Sequence, residues 1–109
     1  MTRIAERTVL FADLRGSTSL YERLGNAEAT SVVTHTVNEL GRSVVDCSGQ
    51  VVKTLGDGLM AVFEAPLHAV QAAAQMHEAL ERLVMRGSAH GASPGLRALR
   101  LQVALARGE

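Results

Sequence analysis

The chain has 109 residues, 47% of them hydrophobic and only 3% aromatic, with eleven basic side chains balanced by eleven acidic ones. That is enough apolar material for one small domain, or part of a larger one, with a core packed by aliphatic side chains. Electroneutrality argues against the basic footprint of a nucleic-acid binder, no apolar run is long enough to span a membrane, and MTRIAERTV lacks the apolar segment of a signal peptide.

In chain order, TVLFADL (residues 8–14) is short, β-rich and apolar until Asp13, the pattern of a buried strand. RGST follows, in which Ser17 or Thr18 is expected to cap a short helix running to Leu24 and ended by Gly25. Asn26 reads as a second cap, with Glu28 adding negative charge to the first turn. Val33, Val37, Leu40, Val44 and Cys47 then recur at three- and four-residue steps, one apolar stripe of a long helix stopped by Ser48-Gly49. Cys47 is the only cysteine, which excludes an intrachain disulfide and suits a reducing, cytoplasmic setting.

Two strands are expected next, over residues 50–55 and 59–64, joined through Asp57-Gly58. That dipeptide favours a type I′ hairpin turn, which needs positive φ at both central positions. Pro66 opens another helix with a stripe of Leu67, Val70, Ala74, His77, Leu80 and Val84. GSAHGASPG (residues 87–95) reads as a loop before a last strand in which Leu99, Leu101, Val103 and Leu105 alternate. The order strand, helices, strand, strand, helix, strand predicts an α+β, ferredoxin-like β-α-β-β-α-β sandwich: an antiparallel sheet with helices on one face.

In that arrangement the first strand lies mid-sheet, so its end at Asp13 comes close to the hairpin turn at Asp57. Two converging carboxylates repel each other unless a cation lies between them. Mg²⁺ binds through one or two carboxylates, carbonyls, water and substrate phosphates. Gly16, Ser17 and Thr18 add a helix N-terminus whose N–H groups can meet phosphate oxygens, although RGST is not a full Walker pattern. Each feature alone also has a plain structural use, as a strand-end cap, a hairpin turn or a helix start.

Together the features are far more specific. FADLRGSTSLYERLG followed by GQVVKTLGDGLMAVF resembles the class III adenylate/guanylate cyclase catalytic domain, from about residue 8 to residue 109. The resemblance implies conversion of a nucleoside triphosphate to a 3′,5′-cyclic nucleotide and pyrophosphate, with two divalent ions (Mg²⁺ or Mn²⁺), in intracellular signalling. Asp13 and Asp57 match the metal-binding aspartates and Leu14 the residue whose carbonyl helps hold the second ion. Lys53, the only lysine, matches the purine-reading lysine of adenylate cyclases. Guanylate-specific members usually carry glutamate there, so ATP rather than GTP is the expected substrate. Family sites form between two subunits, the aspartates from one and the lysine from the other, which implies a homodimer.

The resemblance is incomplete at the end of the chain. In LRLQVALARGE, Ala104 stands for a family glycine, Ala106 for a histidine and Arg107 for a threonine. The second purine-reading residue, the ribose-orienting asparagine and the transition-state arginine have no counterpart, and Arg15, Arg100 and Arg107 do not match on motif grounds. An arginine of that kind is worth orders of magnitude in rate. The single, partial domain of residues 1–109 is therefore expected to be inactive or weak by itself. A non-catalytic module for nucleotide binding, dimerisation or regulation is the alternative. A diguanylate cyclase relative ranks last, since LGDGL stands where GGDEF belongs. His68 and His77 fall half a turn out of phase, His35 and His90 read as surface and loop residues, and Glu78, Glu81, Arg82 and Arg86 as a solvated helix face.

Overall fold

The computed structural model describes residues 7–89 and 99–108. Four strands and three helices follow in the order β1 (Arg7–Arg15), α1 (Ser17–Leu24), α2 (Asn26–Asp46), β2 (Gln50–Leu55), β3 (Gly58–Phe63), α3 (Pro66–Ala89) and β4 (Arg100–Gly108). The strands lie in the order β2-β3-β1-β4, every neighbouring pair antiparallel. This is the ferredoxin-like arrangement, with β1 paired on both sides.

Strand alternation divides the sheet into two unlike faces. Leu10, Ala12 and Leu14 of β1 and Leu59, Ala61 and Phe63 of β3 are buried beneath the helices. Val9, Phe11 and Asp13 point the other way, and Phe11 is 46% exposed at mid-strand. The register sets Phe11 between Met60 and Ala104, and Val9 between Val62 and Ala106, so the middle of the open face is apolar.

The stripe read on α2 is the one that packs: Val33, Val37, Leu40, Val44 and Cys47 are all buried. The stripe read on α3 holds at its C-terminal end, where Leu80 is buried and Val84 packs against the core, and is rotated from the true one before that. Leu67 and Val70 are more than half exposed and Ala74 and His77 also face outward, while Ala69, Ala72, Met76, Ala79 and Leu80 are buried. Small side chains let α3 approach α2 and the sheet closely, so close packing selected the alanine face over the more hydrophobic one. α3 also runs on to Ala89, into the stretch expected to be loop. His90 and the remainder of that stretch lie outside the described residues.

Neither serine nor threonine caps α1, and Asn26 does not cap α2. Their N-cap positions are Gly16 and Gly25, both with positive φ. Each glycine lets the chain reverse sharply into its helix without the steric cost a Cβ would bring there. Ser48, at φ 65, makes the corresponding turn after α2. No helix among the described residues is long and apolar enough to cross a membrane.

Candidate metal and nucleotide site

The end of β1 and the β2–β3 hairpin meet through the backbone. Asp13 pairs with Gly58, and the Leu14 N–H donates to the Asp57 carbonyl at 2.8 Å. The turn itself differs from the expected one. Its two central residues are Gly56 and Asp57, Leu55 pairs with Gly58, and positive φ occurs at neither Asp57 nor Gly58. Gly58 is instead the first residue of β3, and what it needs is room: a Cβ there would lie 2.5 Å from the Ala12 carbonyl oxygen. The missing side chain lets the turn close on β1, bringing Asp57 beside Asp13 and Leu14.

One residue past β1, Gly16 at φ 84 turns the chain into α1, whose first residue is Ser17. The opening N–H groups of a helix have no intrahelical acceptors. Those of Ser17 and Thr18 therefore start within a few residues of Asp13. The corner brings together the backbones of Asp13, Leu14 and Asp57 and the N-terminus of α1. Two aspartate side chains and backbone carbonyls are oxygen donors of the kind a hard ion such as Mg²⁺ or Mn²⁺ takes, completed by water and phosphate. Three or more His, Cys, Asp or Glu side chains do not cluster anywhere among the described residues, so a site filled by protein side chains alone does not form there.

Lys53 reaches the open face through an irregularity. Val51 pairs with Ala61 but Lys53 with Met60, so Val52 is an extra residue, a β-bulge. With regular pairing Lys53 would oppose Leu59 and point toward the helices. The bulge turns it onto the face that carries Phe11 and Asp13. Lys53 and Asp13 are not brought together: two inter-strand spacings and two residues along the strand put their Cα atoms about 12 Å apart.

Asp13 has a partner that sequence reasoning did not assign. Arg15 Nε lies 3.2 Å from Asp13 Oδ2 and donates to Gln102 Oε1 at 2.9 Å. The signal was available, since residues two apart on a strand share a face, whereas Gln102 needed the β1–β4 register. A groove of about 650 Å³ between α2 and β2, lined by residues such as Asn38, Arg42, Asp46 and Thr54, lies on the helix side and away from this corner.

Comparison with known proteins agrees with this architecture. An adenylate cyclase from Anabaena cylindrica is 28% identical over 103 residues, 93% of this chain and 20% of that protein. The chain thus spans about one-fifth of that curated relative's length. Among solved structures, the adenylyl cyclase CyaB from P. aeruginosa superposes with a TM-score of 0.79 at 26% identity, over 94% of this chain and 56% of that one. The guanylyl cyclase Cya2 does so with a TM-score of 0.75 at 26% identity, over 94% and 54%. Equal identity to an adenylyl and a guanylyl cyclase leaves the nucleotide undecided by similarity. The family model for the adenylate and guanylate cyclase catalytic domain matches residues 1–109, and the chain belongs to that family.

Proposed function

We propose that the chain carries the metal-binding and base-reading parts of a nucleotide cyclase that converts ATP to 3′,5′-cyclic AMP and pyrophosphate with two divalent ions. The observation that supports this reading is the β1–β3 register, which pairs Asp13 with Gly58 and ties the Leu14 N–H to the Asp57 carbonyl. In it the Asp13 and Asp57 carboxylates and the Leu14 carbonyl hold the ions. Bound metal supplies a lowered pKa at the ribose 3′-hydroxyl and offsets charge on the departing pyrophosphate. The N–H groups after Gly16, at Ser17 and Thr18, face phosphate oxygens. Lys53 has donors only, matching the acceptor N1 of adenine. The chain's residues thus act by positioning and electrostatics more than by proton transfer.

Lys53 and Asp13 share a face but stand about 12 Å apart, which suits a homodimer in which the lysine of one protomer serves the aspartates of the other. The open apolar face around Phe11 supports such pairing. Ala104, Ala106 and Arg107 depart from the family pattern and no arginine of this chain matches the transition-state arginine, so turnover by this chain alone is expected to be weak. The same departures support a second reading, a module that binds nucleotide or dimerises without turnover.

One experiment separates them. The purified chain is incubated with ATP and Mn²⁺ or Mg²⁺, with cyclic AMP and ATP binding measured against Asp57→Ala. Product formation lost in the variant supports the cyclase, and metal-dependent ATP binding without product supports the module. Absence of both sinks the site assignment.

A further inference from the structure

Arg15 has no role in the reaction proposed above, yet it touches the residue on which that reaction depends. Its Nε carries one hydrogen, donated to Gln102 Oε1 at 2.9 Å, and the same nitrogen lies 3.2 Å from Asp13 Oδ2. Gln102 stands directly across from Asp13 in the β1–β4 register. The guanidinium is therefore anchored by a neutral acceptor while it lends its charge to the carboxylate. With the two side chains 63% and 42% exposed, the pair adds little to folding. It bears on the site more than on the fold, because a divalent ion reaching Asp13 finds its oxygen already facing a cation.

From this arrangement we infer that Arg15 is a built-in competitor for the ion at Asp13. It holds the carboxylate in the metal-free chain, yields it when the ion arrives, and remains on Gln102 as a positive charge beside the loaded site. That charge disfavours the bare ion, whereas a triphosphate arriving with the ion brings negative charge to offset it. The site thereby selects the ion–nucleotide complex over the ion alone. This rests on the assignment of Asp13 as a metal ligand.

Mn²⁺ binding, read by the electron paramagnetic resonance of the free ion, tests it with and without ATP. Arg15→Gln and Arg15→Met are both expected to tighten binding of bare Mn²⁺ about two- to fivefold, the upper part of the range for breaking an exposed pair. The gain for Mn²⁺ with ATP is expected to be smaller, and the melting temperature to stay within about 2 °C because the pair is exposed. In the wild-type chain, the Arg15 Nε–H nuclear magnetic resonance signal should shift on addition of Mg²⁺, and not in Asp13→Asn. Mn²⁺ binding that is lost in Asp13→Asn yet unchanged or weakened by the Arg15 substitutions, or an unmoved Nε–H signal, overturns the competitor role and leaves the metal site standing. If neither wild type nor variant binds Mn²⁺, the cyclase reading falls as well.

Discussion

Gly58→Ala tests whether close backbone approach is what brings the two aspartates together. The new Cβ would sit 2.5 Å from the Ala12 carbonyl oxygen, where real Cβ atoms keep at least 3.0 Å, so β3 must move off β1 by half an ångström or more. Both atoms belong to the framework and no flexible side chain can yield. Overpacking of this kind costs about 1–3 kcal/mol. The displaced atoms adjoin the 2.8 Å bond from Leu14 to Asp57. Its loss adds about 0.5–1.5 kcal/mol. A chain of 109 residues loses about 4–5 °C of melting temperature per kcal/mol, so a fall of about 6–22 °C is expected. Gly56→Ala is the control, two residues away and with nothing within 4 Å of its added Cβ. It should change stability by no more than about 0.5 kcal/mol. Thermal and urea unfolding followed by circular dichroism supply the stabilities, and Mn²⁺ titration at a temperature where both variants are folded reports the site. Equal stability of the two variants would refute the packing argument. A destabilised Gly58→Ala that binds Mn²⁺ like wild type would refute the claim that this contact positions the carboxylates.

Deleting Val52 removes the extra residue and leaves Lys53 opposite Met60 on the open face, so nucleotide binding should be retained, whereas Lys53→Ala should lose it. Gly49→Ala drives a methyl into the buried Phe63 ring and should cost about 1–3 kcal/mol in urea unfolding, with Mn²⁺ binding unchanged in the folded fraction. Burial, and then the charge of Asp46, hold the Cys47 thiol above its ordinary pKa of 9.0. A raised folded pKa favours the protonated native form, so this contribution is intact below pH 9 and is lost as the pH climbs further. Urea midpoints should accordingly fall between pH 8 and 10, less so in Cys47→Ala, and the folded chain should alkylate more slowly than the unfolded one at pH 8.

How much of this was legible depended on how local its cause was. The α2 stripe follows from helical periodicity because its apolar side chains recur three and four residues apart, and that spacing is set within the helix itself. On α3 the same rule chose Leu67 and Val70 over Ala69 and Ala72, since hydrophobicity along a sequence does not report how closely two layers must approach. The hairpin is legible in the sequence, but there Asp57-Gly58 reads as a turn dipeptide, whereas Gly58 is a strand residue that gives clearance against Ala12. The need for glycine there belongs to a strand far away in sequence.

By itself the sequence determined the element order, the antiparallel class of the sheet, and the residue types at the site: two aspartates, a helix start and a solitary lysine. These depend on side-chain periodicity and local backbone preference, which act over a few residues. Only the tertiary structure decided which residues meet: the β1–β3 register, the bulge that turns Lys53 outward, and the β1–β4 register that sets Arg15 between Gln102 and Asp13. Register follows from burying one whole face of the sheet at once, and a shift of one residue exchanges the faces, so no single segment contains that information.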